Sequence, residues 1–251
     1  MLLLIDAGNT RIKWALATLD APPGEWTLAD AVSHAGLDAA ASAWRAAGVT
    51  QAIVSNVAGP AVRERIARAL PEGAMVEWFA STEQRAGLRN GYRNPAQLGC
   101  DRFAAAIGAR ALAPGQDLIV ATCGTATTVD AVTADGRFIG GLILPGLALM
   151  AGSLARNTAQ LPQVTPGAGS GNIAPPVFGD NTDDAIVSGV LSAQAGAIER
   201  ACAAHGAGAC IVSGGAAPYI APLLKFGHRV VDNIVLVGLH AAVRFPGERT
   251  C

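Results

Sequence analysis

One pattern occurs twice in this chain, over residues 2–16 and again over 118–130: an apolar strand, a small polar turn with glycine, then a second apolar strand. The first copy turns through Asp6-Ala7-Gly8-Asn9-Thr10-Arg11-Ile12-Lys13, the second through Thr122-Cys123-Gly124-Thr125-Ala126-Thr127-Thr128. Two such hairpins predict two related halves that offer glycine turns to one ligand. Glycine lets the backbone come close to an anion, while N–H groups and Thr or Asn side chains donate hydrogen bonds, which suits phosphate. Asp6 cannot bind phosphate directly, but it can hold the Mg²⁺ that a nucleoside triphosphate carries. The repeat therefore points to ATP chemistry. The rival reading is an ordinary hairpin, since Asn and Gly are common turn formers.

The 251 residues suffice for one large domain or two small ones. Apolar residues make up 51% and charged residues 15%, which argues against disorder. A net charge of −1 without a basic cluster predicts no nucleic-acid partner and no membrane-surface patch. The five cysteines are widely spaced and form no CxxC pair, so reduced thiols are expected rather than a zinc site or a disulfide framework. The apolar run at the start stops at Asp6 with no basic segment before it, and no stretch is long enough to span a bilayer. These features predict a soluble, cytoplasmic protein.

Strand and helix signals alternate along the chain, which predicts an α/β fold. Strands are expected at 52–55, 75–79, 138–144, 209–213 and 230–232, besides the two hairpins. Helices are expected at 37–47, 60–70, 101–113, 146–157, 183–205, 218–226 and 234–245. The stretch 85–99 reads as a loop, and 161–179 as a long loop rich in proline and glycine. Pro114-Gly115 sets the expected boundary between domains 1–114 and 115–251.

The order Asp6-x-Gly8-Asn9-Thr10, Leu98-Gly99-x-Asp101-Arg102, Gly124-Thr125-Ala126-Thr127-Thr128 and Ser213-Gly214-Gly215 resembles the type III pantothenate kinases. These belong to the acetate and sugar kinase/Hsp70/actin superfamily. The resemblance implies two ribonuclease-H-like halves with ATP in the cleft between them. It also implies phosphorylation of pantothenate, the first step towards coenzyme A.

Carried onto this sequence, the resemblance assigns residues 6–13 and Thr125 to ATP, with Asp6 near Mg²⁺ and Lys13 near the phosphates. Asp101 becomes the catalytic base, and Tyr92, Gly99, Cys100, Arg102 and Thr182 contact pantothenate. Ser213-Gly214-Gly215-Ala216 becomes the adenosine loop. Thr182 is presented across a dimer interface, so a homodimer with composite sites is expected. A monovalent cation, K⁺ or NH₄⁺, is implied too. Here, however, Thr122 stands where many relatives carry an Asp, and a neutral hydroxyl is a poorer cation ligand than a carboxylate.

Plainer roles exist for the same residues. Asp101 also suits the first turn of a helix, and Asn181 and Thr182 suit a helix cap. Lys13 could simply pair with a carboxylate. A carboxylate within reach of an alcohol, however, can both orient it and accept its proton. Arg102 suits the carboxylate of pantothenate. Two rival functions remain open on sequence alone. A sugar kinase of the same superfamily would share the phosphate turns, and a nucleotide-binding accessory protein would not need Asp101. The four histidines, at 34, 205, 228 and 240, are scattered and receive no role.

Overall fold

The computed structural model describes residues 1–165 and 176–244. The middle of the expected 161–179 loop and residues 245–251 lie outside the described residues.

In chain order the elements are β1 (Leu2–Ala7), β2 (Arg11–Ala17), β3 (Leu28–Ser33), α1 (Leu37–Ala46), β4 (Gln51–Asn56), α2 (Pro60–Ala69), β5 (Met75–Trp78), β6 (Gln84–Arg85), β7 (Leu88–Asn90) and α3 (Cys100–Leu112). They continue with β8 (Leu118–Cys123), β9 (Ala126–Val132), β10 (Arg137–Pro145), α4 (Leu147–Asn157), α5 (Thr182–His205), β11 (Ala209–Ser213), α6 (Ala217–Ile220), β12 (Arg229–Val230) and α7 (Ile234–Arg244). Short 3₁₀ turns sit at His34–Gly36, Pro95–Gln97 and Ala221–Leu223.

The chain forms two compact units. The first comprises Met1–Gly115, Val132–Gly140 and Asn233–Cys251; the second comprises Gln116–Ala131 and Gly141–Asp232. The first unit also takes up residues 132–140 and the closing helix. Small residues explain the helix: Gly108 on α3 and Gly238 on α7 let the two backbones cross closely. A methyl group on Gly238 would lie 1.7 Å from the carbonyl oxygen of Ala104.

The first unit is built on a sheet of order β3-β2-β1-β4-β5. β1 is antiparallel to β2 and parallel to β4, and β4 is parallel to β5. All six residues of β1 are buried, as expected of a strand covered on both faces. Its core includes Leu3, Ile5, Ile12, Trp14 and Trp44, with the two indoles edge to face at 6.0 Å. The other sheet has the order β12-β11-β8-β9-β10-β7-β6, with β11 parallel to both β8 and β12 and β7 parallel to β10. Its stretch β10-β9-β8-β11-β12, counted from the first of these strands, has the same order 3-2-1-4-5 as the five-stranded sheet, so the twofold repeat read in the hairpins extends to five strands of each sheet.

Several expectations shift. β3 was not expected. The stretch 85–99 contains β6, β7 and a 3₁₀ turn rather than only loop. The helix expected over 218–226 is one α-turn followed by a 3₁₀ turn. Pro222 explains the shortening, since it has no N–H to continue the ladder.

Candidate active site

Both hairpin turns close in the same way. The Gly8 N–H donates to the Arg11 carbonyl at 3.0 Å, and the Gly124 N–H donates to the Ala126 carbonyl at 3.0 Å. These glycine N–H groups are therefore spent within the turns. Donors to a ligand must come from the tip residues, and Asn9, Thr10, Arg11 and Thr125 are exposed.

The β-ladder explains which side chains surround the first turn. Asp6 lies across from Lys13 on β2 and beside Ser55 on β4. Cys100, the first residue of α3, packs its Sγ 3.5 Å from Ser55 Oγ and 3.7 Å from the Asn56 carbonyl. The start of α3 is thereby seated on the end of β4. This brings Asp101 close enough for its charge to act on Asp6.

The electrostatics follow from burial. Desolvation pushes the Asp6 carboxyl up to about 7; Lys13 opposes the rise and Asp101 adds to it. Burial also raises the Asp101 carboxyl, against the Arg102 N–H and guanidinium. Asp101 Oδ1 accepts the Arg102 N–H at 2.8 Å, so this residue does occupy the helix-start position that its plainer reading required. Burial raises the Cys100 thiol as well, which keeps it a packing group rather than a nucleophile.

Arg102 is buried. Its Nη1 donates to the Tyr92 hydroxyl at 2.8 Å, and its guanidinium lies 5.7 Å from the ring centres of both Tyr92 and Phe138. Gly99 immediately precedes the helix as its N-cap. The first unit thus brings together Asp6, Lys13, Gly99, Cys100, Asp101 and Arg102, with Tyr92 on Arg102. Ser55, Asn56 and Phe138 also belong to this cluster. No sequence motif marks them; only strand register shows their place.

The second unit places Thr125 at the tip of the β8–β9 turn, where the Gly146 N–H donates to its carbonyl at 2.9 Å. Gly214 follows β11 with φ of 95°, a conformation open to glycine, and a methyl group there would lie 2.3 Å from the Cys123 carbonyl oxygen. Thr182 is the first residue of α5, whose cap is Asn181: its Oδ1 accepts the Asp184 N–H at 2.9 Å. Thr182 also lines a groove of about 640 Å³ whose walls are mostly apolar, including Leu149, Met150, Leu154, Ile186 and Val190.

A family model described as type III pantothenate kinase matches residues 2–204. The chain belongs to the type III pantothenate kinase family. A type III pantothenate kinase of Herminiimonas arsenicoxydans is 55% identical to it over 252 residues, covering 96% of each chain. One from Janthinobacterium sp. (strain Marseille) is 55% identical over 265 residues, covering 100% of each. Among solved structures, the activator of the 2-hydroxyisocaproyl-CoA dehydratase from Clostridium difficile, with bound ADPNP, superposes with a TM-score of 0.55. It is 12% identical and covers 96% of this chain and 92% of that one, so it bears on fold alone. A 2-dehydro-3-deoxygalactonokinase-like protein from Sinorhizobium meliloti shares the fold at a TM-score of 0.55 and 17% identity, covering 97% of this chain and 98% of that one, and the family to which this chain belongs is one of kinases.

Mg²⁺ and a monovalent cation can be judged against the residues present. Among the described residues no group of three or more His, Cys, Asp or Glu side chains converges on a metal position. Nucleotide-bound Mg²⁺ needs only one or two protein carboxylates, with phosphates and water completing the shell. Asp6, a buried carboxylate whose ionisation a cation would favour, fits that role. The monovalent cation fits less well. Thr122 Oγ1 is buried and has no hydrogen-bond partner among the described residues, but it is neutral. The downstream carboxylate, Asp130, is buried and already has an interaction.

Proposed function

We propose that this chain transfers the γ-phosphoryl group of ATP to the terminal hydroxyl of pantothenate, opening coenzyme A synthesis. The observation that carries the reading is the cluster in the first unit, where the buried Asp6 carboxylate sits beside Lys13 and feels the charge of the partly buried Asp101. A phosphoryl-transfer centre needs a carboxylate on the metal side, a cation on the phosphate side and a carboxylate facing the acceptor.

Asp6 would hold nucleotide-bound Mg²⁺, which neutralises charge on the phosphates. Lys13 and the tip of the turn at 8–11, Asn9 to Arg11, bind phosphate oxygens. Thr125 does the same from the turn of the second unit. Asp101 orients the acceptor hydroxyl and accepts its proton. Its raised pKa suits that task, because a base works best near the operating pH. Tyr92 holds Arg102 in place for the carboxylate of pantothenate. Gly99 and Cys100 contribute backbone to the same pocket. No role is assigned to a monovalent cation, since the residue at 122 is a threonine.

We further read the groove beside Thr182 as the seat of a second copy of this chain, with Thr182 completing the partner's substrate site. The exposed apolar side chains of Leu142, Ile143 and Leu149 support this reading, as does the apolar groove itself. A cytoplasmic location agrees with the four described cysteines, all free thiols, and with the lack of any described helix long and apolar enough to cross a membrane.

The test is phosphoryl transfer from labelled ATP to pantothenate, glucose or N-acetylglucosamine. Label should appear only in phosphopantothenate, at equal rates in K⁺ and Na⁺ buffers. Transfer to either sugar, with pantothenate untouched, would contradict the assignment.

A further inference from the structure

The first hairpin turn is held from one side by a residue that no motif marks. In the β2–β3 ladder the last matched pair is Arg11 with Ser33. The chain then enters the 3₁₀ turn His34–Gly36, so register alone delivers residue 34 to the flank of the turn at 8–11. The His34 ring nitrogen Nε2 lies 3.2 Å from the Asn9 carbonyl oxygen. A carbonyl can only accept, so Nε2 carries the proton and donates. The other ring nitrogen, Nδ1, is buried and has no hydrogen-bond partner among the described residues. The bond to the turn is therefore the one hydrogen bond by which the ring is held.

His34 is itself anchored. Its own carbonyl accepts from Arg65 Nη2 on α2 at 2.6 Å. A continuous link thus runs from helix α2 through Arg65 and His34 to the backbone at the tip of the turn. That tip is exposed. The direction of its N–H groups decides how well it grips an anion, and such donors are most effective when fixed before the ligand arrives.

We propose that His34 is a positioning residue for the phosphate-binding turn: by holding the Asn9 carbonyl it orients the peptide groups that receive ATP. The inference rests on the nucleotide reading of this turn. It assigns no chemistry to the imidazole and predicts an effect on ATP rather than on pantothenate.

Two polar substitutions separate position from packing. The amide nitrogen of a glutamine can reach the place of Nε2, whereas that of an asparagine stops near the place of Nδ1. His34→Asn should raise KM for ATP about fivefold, the loss expected of one such hydrogen bond, while KM for pantothenate stays within about twofold. His34→Gln should restore KM for ATP to within about twofold of the parent. Lys13→Ala, measured alongside by fluorescent-ADP binding, reports on the nucleotide reading itself. If Lys13→Ala weakens nucleotide and His34→Asn does not, the role of His34 is wrong while the ATP site stands. Equal changes in both KM values, or a His34→Gln variant as impaired as His34→Asn, would also overturn the role by showing general structural damage. If neither Lys13→Ala nor His34→Asn affects nucleotide, the assignment of the turn falls, and the role of His34 with it.

Discussion

Asp6 is near enough to Asp101 to feel its charge: burial lifts the Asp6 carboxyl to about 7 against the attraction of Lys13, and the negative charge of Asp101 adds to the rise. Two carboxylates placed this way are costly to the free protein and useful to a kinase, since one suits a cation and the other an alcohol.

The cost has a measurable pH dependence. In the unfolded chain Asp6 ionises at its ordinary value of 3.8; in the folded chain it ionises at about 7. Between these values the folded state keeps a proton that the unfolded state has lost, so this residue's contribution falls as pH rises from 3.8 to 7 and is level above that. Asp6→Asn removes the effect. Its melting temperature should exceed that of the parent by a margin that grows from pH 4.5 to pH 8, at about 2–4 °C per kcal/mol. The same variant should lose most turnover. Calorimetry at the two pH values checks the first expectation, and a margin that shrinks with pH would contradict it.

Tyr92→Phe removes the hydroxyl that accepts from Arg102 at 2.8 Å while keeping the ring. KM for pantothenate should rise about tenfold or more, in line with one lost hydrogen bond to a charged group, with KM for ATP unchanged. Steady-state kinetics with each substrate varied in turn distinguishes the two.

Gly238→Ala places a methyl group against the Ala104 carbonyl, at 1.7 Å before any relaxation. Forced separation of α3 from α7 should cost about 1–3 kcal/mol or more. Because Asp101 lies on the first turn of α3, turnover should fall together with the melting temperature. Thermal melts and kcat measured on the same preparation check this.

Leu149→Glu puts a charge into the apolar groove that Thr182 also lines. Light scattering should show the parent as a dimer and the variant shifted towards monomer, with pantothenate turnover reduced in parallel. A monomeric parent would contradict the second-copy reading.

Much of this arrangement was legible in the sequence, for identifiable reasons. β1, the β8–β9 hairpin, α3 and α5 announce themselves through apolar runs bounded by glycine, proline or capping residues, and their ends match the expected ones within a residue or so. Asp6, Lys13, Asp101 and Arg102 were singled out by such punctuated motifs and by the family resemblance, and the first unit brings them close together. What was missed depends on partners distant in sequence. β3 reads Leu-Ala-Asp-Ala-Val-Ser, is largely exposed and has little strand character of its own; pairing with β2 makes it a strand. Nothing local links Gly108 to Gly238, so the place of α7 in the first unit could not be read. His34 was set aside because it has no motif, and only the β2–β3 register brings it to the turn.

The most direct test of the central claim is the Asp101→Asn variant, assayed for phosphopantothenate formation and, separately, for ATP binding by calorimetry. The substitution keeps an oxygen that can accept the Arg102 N–H but removes the charge and the basicity. The account predicts that kcat falls at least about 100-fold, the scale of general-base catalysis, while the ATP dissociation constant stays within about twofold. Near-normal turnover by Asp101→Asn would contradict it.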